Sequence, residues 1–82
     1  MKVALSKDAQ KKYERLPKPQ RAKIIKKLTE LERNPYVGKG LEGELRGVYS
    51  LRVWPYRILY EINKNKQIIE VHKIAHRQGA YK

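Results

Sequence analysis

Residues 49–62, with the sequence YSLRVWPYRILYEI, alternate apolar and polar side chains on both sides of Trp54-Pro55. Period-two alternation predicts half-buried strands, and a proline between two such runs predicts a turn. Any register that keeps the apolar side chains together puts Arg52 and Arg57 on a common face, and a turn at Trp54-Pro55 places them directly opposite each other. The sequence therefore predicts a hairpin with two facing arginines.

These two arginines need a physical explanation. Like charges that face each other destabilise a sheet, whereas opposite charges or aromatic pairs contribute about 0.2–1 kcal/mol. A bound anion reverses the penalty, because guanidinium groups hold phosphate through paired hydrogen bonds. One interpretation of Arg52 and Arg57 is therefore a phosphate-binding surface. The alternative is that Glu61 or Glu70 on a nearby strand neutralises the pair.

The rest of the chain supplies an α+β pattern. The segment KVAL predicts a short strand, Ser6 can cap a first helix, and Pro19 is suited to open a second helix that Asn34-Pro35 ends. The apolar stripe predicted for the second helix is Ile24, Ile25, Leu28 and Leu31. A glycine-punctuated loop precedes the hairpin, and QIIEVHKIA predicts a last strand. We expect one domain over residues 1–82, with the N-terminal strand and a two-helix hairpin packed on one face of an antiparallel-rich four-stranded sheet.

Charge and composition restrict the function classes. Twenty Lys and Arg against eight Asp and Glu give a formal net charge of +12, which predicts a polyanion or an acidic protein as partner. Without cysteine, and with two histidines, the chain is a poor candidate for a metal site. No apolar run approaches the ~18 residues of a membrane span, so we expect a soluble, intracellular protein.

The helical hairpin carries many of the cations. They are expected on its outer face and are Arg21, Lys23, Lys26, Lys27 and Arg33. They are candidates for binding nucleic acid, with a merely solvated helix face as the alternative.

The tail after the last strand adds His76, Arg77 and Tyr81. Taken singly, each is more typical of packing or of an ordinary surface. Taken with Arg52 and Arg57, they resemble the equipment of a metal-free ribonuclease. That chemistry needs a base for the ribose 2′-OH, cations for the charge on phosphorus and a proton source for the leaving 5′-oxygen.

The stretches NPYVGKGLEGELRGVYSLRVWPYRILYEI and IAHRQGAY resemble the RelE/ParE superfamily of type II toxins. The likeness extends over essentially the whole chain. It implies a compact sheet backed by two helices. For RelE-like members it implies a ribosome-dependent mRNA endonuclease that acts in the decoding site, in the cytoplasm, and inhibits translation. Such an enzyme uses the RNA's own 2′-OH as nucleophile, leaves a 2′,3′-cyclic phosphate and needs no cofactor.

The resemblance also implies roles for individual residues. Arg52 and Arg57 would grip and polarise the phosphate, and Arg77 would stabilise the transition state. His76 precedes Arg77 in the H-R-x-x-x-Y ending that is common in the superfamily. Tyr81 would stack on a base or act as the general acid or base.

Further implications concern partners. Arg46, in the loop that enters the sheet, is a candidate for binding the RNA backbone, and the helix cations would contact ribosomal RNA. RelE carries a lysine where this chain has Ser50, which leaves the general base open. A RelB-like antitoxin with an acidic or amphipathic segment is expected to wrap the domain and keep it inactive.

Two other functions fit the same pattern. One is a ParE-like toxin that inhibits DNA gyrase without nuclease activity. The other is a non-catalytic, RNA-binding relative that uses the same cationic patch, with Ser50 as its supporting feature. The cationic, tyrosine-terminated tail favours the endonuclease.

Overall fold

The computed structural model describes residues 1–77. In chain order the elements are β1 (Lys2–Leu5), α1 (Lys7–Arg15), α2 (Lys18–Arg33), β2 (Lys39–Gly40), a 3₁₀ helix (Gly43–Leu45), β3 (Tyr49–Val53), β4 (Tyr56–Asn63) and β5 (Ile68–His76). The predicted α+β order of a strand, two helices and a meander is confirmed. Within residues 1–77, no helix is both long and apolar enough to cross a membrane.

The start of α1 is set by Ser6. Its hydroxyl accepts a hydrogen bond from the Ala9 backbone N–H at 3.1 Å and donates one to the His72 carbonyl at 2.8 Å. The first bond satisfies one of the free amides of the helix, and the second ties the helix to β5. The sequence predicted Pro19 as the first residue of α2. The helix begins one residue earlier, at Lys18, so Pro19 is its second residue.

Five strands form the sheet, in the order β1-β5-β4-β3-β2, with β1 parallel to β5 and the other neighbours antiparallel. The sequence predicted four of these strands. The additional strand, β2, is only Lys39–Gly40 and pairs with Tyr49 and Ser50. A two-residue strand that contains glycine has no alternation, so the pattern that revealed the others does not detect it.

The predicted hairpin register is confirmed. Arg52 pairs with Arg57 and Val53 pairs with Tyr56, around a turn at Trp54-Pro55. Residues paired directly across antiparallel strands have Cα atoms about 4.5–5.5 Å apart. Since β2 covers only the beginning of β3, no strand among residues 1–77 pairs with Arg52 on this edge of the sheet.

A β-bulge interrupts the pairing of β4 with β5. Leu59 pairs with Lys73 while Tyr60 pairs with Val71, which leaves His72 as the extra residue. An inserted residue shifts the alternation by one and exchanges the two faces. Val71 and Ile74 consequently both join the core, although they are three residues apart.

Both helices pack on one face of the sheet, where the core lies. The buried core residues are Ala9, Leu16, Ile24, Leu28, Leu31, Leu51, Val53, Ile58, Tyr60, Ile69, Val71 and Ile74. Ile25 was predicted to belong to this apolar stripe, but 48% of its surface is exposed. Each helical residue turns about 100°, so the spacing of Ile24, Leu28 and Leu31 leaves Ile25 on the side of the helix.

Tyr60 fastens the loop after α2 to the sheet. Its fully buried hydroxyl donates to the Pro35 carbonyl at 2.8 Å and accepts from the Gly38 N–H at 3.0 Å. A Cβ atom on Gly38 would lie 2.6 Å from that hydroxyl, so only glycine fits this close approach. Burial raises the pKa of the Tyr60 phenol above its ordinary value.

Candidate nucleic-acid interface

The arginine pair lies on the face of the sheet opposite the helices, which we call the open face. Arg57 on β4 is flanked by Arg52 on β3 and Ala75 on β5, and Lys73 lies two residues before Ala75 on the same face. Between these cations the side chains are small or apolar and buried: Ser50, Leu59 and Ala75. The open face at this end of the sheet therefore presents cationic groups around small or apolar side chains that do not project from it.

Ser50 supports Arg57 directly. The Arg57 guanidinium donates from Nη1 to the Ser50 hydroxyl at 3.5 Å, and Ser50 is only 4% exposed. A lysine at position 50 would place another charge beside Arg57, whereas serine offers an acceptor. Serine at this position therefore orients the cation of Arg57, where lysine would add a second cation.

The alternative explanation for the pair, neutralisation by Glu61 or Glu70, does not fit the geometry. Glu61 lies four residues beyond Arg57 on β4, which is about 13 Å at the rise of a β-strand. Its carboxylate contacts His72 Nε2 at 3.2 Å. Glu70 pairs with Glu61 in the register and lies on β5, one strand further from the arginines.

Arg77 is held at the same end of the sheet by the hairpin turn. Its backbone N–H donates to the Pro55 carbonyl at 2.8 Å, and its guanidinium carbon lies 5.0 Å from the centre of the Trp54 ring. A cation at this distance over an indole is attracted by the ring quadrupole. The fold therefore brings Arg77 to the turn that joins Arg52 to Arg57.

His76 lies on the other face. It pairs with Tyr56, and the two rings meet edge-on at 5.6 Å. Both line a cleft of about 540 Å³ together with residues of α1, among them Lys12, whose Nζ lies 5.8 Å from the centre of the Tyr56 ring. The sequence grouped His76 with the arginines, and the structure separates them, because the bulge at His72 turns His76 towards the helices. Tyr81 lies outside the described residues.

The predicted RNA-binding cations fall into two groups. Lys23, Lys26 and Lys27 of α2 line a second cleft, of about 350 Å³, with Arg52, Val53 and Trp54. In this group Lys27 also forms an ion pair with Glu30 at 3.3 Å.

The other three predicted cations lie elsewhere. Arg21 is half-buried, and Arg33 ends α2, about 15 Å along the helix axis from Lys23. Arg46 follows the 3₁₀ helix, at the opposite end of β3 from Arg52. The structure brings neither Arg33 nor Arg46 to the arginine pair.

Two further features of this surface concern metal binding and Trp54. Within residues 1–77, no three histidine or acidic side chains come together as a metal-binding cluster. Trp54, which the sequence places in the hairpin turn without assigning it a role, contacts Arg77 and lines the cleft with Arg52. Its signal in the sequence was the position of a large aromatic residue in a turn, where burial is not expected.

Comparisons with known proteins agree on one family. Residues 3–81 match the family model described as the ParE toxin of the type II toxin-antitoxin system parDE. The toxin RelE of Mycobacterium tuberculosis (strain ATCC 25618 / H37Rv) is 32% identical over 82 residues, which cover 98% of this chain and 84% of that protein.

Solved structures have the same fold. The toxin-antitoxin complex RelBE2 from Mycobacterium tuberculosis superimposes with a TM-score of 0.84 at 31% identity, covering 93% of this chain and 96% of that one. The isolated Escherichia coli RelE toxin superimposes with a TM-score of 0.81 at 22% identity, covering 92% of this chain and 82% of that one. The second likeness concerns the fold alone.

Proposed function

We propose that this chain, which belongs to the ParE toxin family of type II toxin-antitoxin systems and is RelE-like, is a ribosome-dependent mRNA endonuclease. The observation that carries the proposal is the arrangement of three guanidinium groups around one turn. Arg52 faces Arg57 across the hairpin, and Arg77 lies against Trp54 in the turn between them. Such a cluster is suited to the negative charge that develops on phosphorus during RNA cleavage.

The proposed reaction uses the 2′-OH of the RNA as nucleophile. Its oxygen forms a bond to phosphorus while the bond from phosphorus to the 5′-oxygen breaks. A general base takes the 2′ proton, a general acid supplies a proton to the leaving 5′-oxygen, and the products are a 2′,3′-cyclic phosphate and a 5′-OH end. No metal ion takes part in this scheme, in which side chains supply the charge and the protons.

Roles follow from position on the open face. Arg52 and Arg57 hold the non-bridging oxygens, and Ser50 orients Arg57 through the hydrogen bond at 3.5 Å. Arg77 stabilises the transition state from the turn. Tyr81 is proposed as the acid or base, as its place in the H-R-x-x-x-Y ending suggests. His76 receives no step, because its ring packs against Tyr56 on the opposite face.

The proposed partners are mRNA on the ribosome and a RelB-like antitoxin, which places the protein in the cytoplasm. Support for the antitoxin comes from similar toxins whose structures are toxin-antitoxin complexes, one from Mycobacterium tuberculosis and one from Pyrococcus horikoshii. The net charge of +12 suits an acidic segment of such a partner as well as it suits RNA.

The test adds purified protein to translating ribosomes and, separately, to naked mRNA, and maps new RNA ends. We expect cuts only with ribosomes, and 2′,3′-cyclic phosphates at the new 3′ ends. Arg77→Ala should lower the cleavage rate by about 10²–10³-fold, the effect of removing one group that stabilises transition-state charge. Arg15→Ala, the same change on the exposed side of α1, is the matched control and should cleave normally.

A second candidate function remains because the matching family model carries the ParE name. A gyrase supercoiling assay on the same preparation separates the two activities. Inhibition of supercoiling without any mRNA cleavage would replace the endonuclease by a gyrase inhibitor. Equal losses of cleavage for Arg77→Ala and Arg15→Ala would also argue against a catalytic open face.

A further inference from the structure

Trp54 is the only tryptophan of the chain, and 59% of its surface is exposed at the tip of the β3–β4 hairpin. Tryptophan is highly buried on average, and its large flat ring supplies much of the binding energy where a partner covers it. The Arg77 guanidinium lies over the ring at 5.0 Å, so one side of the indole already has a cation. The remaining exposed surface is available to a second flat group.

Trp54 lines a cleft together with Lys23, Lys26, Lys27 and Arg52. This lining contains four cations and no acidic residue. Lys27 is partly neutralised by Glu30. Within residues 1–77, no carboxylate lies within 4.0 Å of Lys23, Lys26 or Arg52. The cleft thus offers an aromatic surface next to unneutralised positive charge.

We propose that this cleft is a nucleotide subsite, in which a base of single-stranded RNA stacks on Trp54 while Lys23 and Lys26 hold the adjoining phosphates. The inference rests on the proposed function, since the strand is taken to be the mRNA that is cut. Base stacking on an aromatic ring beside a cationic groove is how many proteins hold single strands, and it tolerates any base because each has a π-face.

Arg52 sets the position of this subsite relative to the cleavage site. It lines the cleft with Trp54, and it is also the direct partner of Arg57 in the hairpin. Arg52 is therefore common to the cleft and to the arginine pair that is proposed to hold the phosphate. The base that stacks on Trp54 accordingly belongs to a nucleotide next to the scissile linkage.

RNA fits this cleft better than an acidic peptide does. Asp and Glu side chains can pair with the lysines but offer the indole no flat ring, whereas a nucleotide brings a flat ring and a phosphate at fixed spacing. Arg77 strengthens the preference for a nucleotide, because its guanidinium lies over the Trp54 ring and the two groups together form a platform for a base.

Because Trp54 is the only tryptophan, its fluorescence reports on the subsite directly. The probe is a short 2′-O-methyl oligoribonucleotide, which has no free 2′-OH and so cannot be cut by the proposed reaction. We expect it to quench the emission at low ionic strength. An abasic oligomer with the same number of phosphates should bind about 5- to 150-fold more weakly, the range for one stacked base.

Variants separate stacking from charge. Binding to Trp54→Ala, measured with a fluorophore on the oligonucleotide, should be weaker by the same factor and equal for both oligomers. Trp54→Tyr should recover much of the affinity. Tyr36→Ala, which removes another exposed aromatic ring, is the control and should bind normally. Lys23→Ala should reduce the slope of log K against log salt by about one, and Trp54→Ala should leave that slope unchanged.

Equal binding of the normal and abasic oligomers to the unmodified protein would overturn the inference. So would quenching by an acidic peptide with no quenching by the oligonucleotide, which would make the cleft a protein-docking site. Neither result touches the proposed function, because mRNA cleavage on ribosomes is measured separately. Conversely, stacking on Trp54 in a protein that cuts no mRNA would retain the subsite and reject the endonuclease.

Discussion

Removal of the Tyr60 hydroxyl is the perturbation whose cost follows most directly from the structure. Tyr60→Phe keeps the ring in the core but deletes the acceptor for the Gly38 N–H and the donor for the Pro35 carbonyl. A buried polar group left without its partner costs about 1–3 kcal/mol. Both backbone groups are only half-buried, so we expect a total loss of about 2–3 kcal/mol in the free energy of unfolding.

That loss is large for a chain of this size, whose unfolding free energy is expected to be about 4–12 kcal/mol. Urea denaturation and thermal unfolding are the assays, and the melting temperature should fall by about 10–20 °C. Tyr36→Phe removes a hydroxyl from an exposed ring and is the matched control, with no measurable change expected.

The pH dependence supplies a second readout of the same interaction. Burial raises the pKa of folded Tyr60 above its ordinary value of 10.0. The folded protein therefore retains the phenol proton at a pH where the unfolded chain releases it. This contribution to stability is complete below pH 10.0 and is lost as the pH rises through the folded pKa.

The difference between the natural protein and Tyr60→Phe should consequently shrink above that pH. A difference that stays constant through the alkaline range, or a Tyr60→Phe variant as stable as the natural protein at neutral pH, would refute the role given to this hydroxyl.

Two other changes test the surroundings of the site. Gly38→Ala places a Cβ 2.6 Å from the Tyr60 hydroxyl and should cost about 1–3 kcal/mol of unfolding free energy. In a double-mutant cycle measured by urea denaturation, the cost should be smaller in the Tyr60→Phe background, and full additivity would contradict the clash. Arg52→Thr removes one of two facing charges, so the free energy of unfolding should stay unchanged or rise by about 0.2–1 kcal/mol. The gain should be larger at low than at high salt, and mRNA cleavage should be lost. A lower stability at low salt would show that Arg52 and Arg57 do not repel each other.

The hairpin could be predicted from the sequence because two local signals agree. Strict alternation on β3 and β4 fixes which side chains share a face, and the proline fixes where the chain turns. Together they leave one register, in which Arg52 faces Arg57, and this is the register observed. The burial of Ile24, Leu28 and Leu31 was predicted for the same reason, since periodicity and packing coincide on α2.

The position of His76 could not be predicted, because it depends on a bulge several residues earlier. Without the extra residue at His72, alternation from Val71 would put Ile74 on the open face and Ala75 in the core. The bulged register is favoured because it places Ile74, the larger apolar side chain, in the core between sheet and helices and leaves Ala75 on the open face. The face of His76 thus depends on how well the core packs in the bulged register compared with the unbulged one. The alternation of residues along the sequence carries no information about that difference.

A different explanation exists for Arg52 alone. An uncovered strand edge exposes unpaired backbone groups, and charged side chains on such an edge prevent pairing with another chain. Because β2 covers only Tyr49 and Ser50, Arg52 lies on an edge of this kind in the part of the chain that the structure describes. Arg57 does not, since β4 is paired with β3 on one side and β5 on the other. Edge protection therefore accounts for one of the two facing charges. The other, Arg57, is half-buried in the middle of the sheet and oriented by Ser50, and the phosphate site proposed above would give its charge a role.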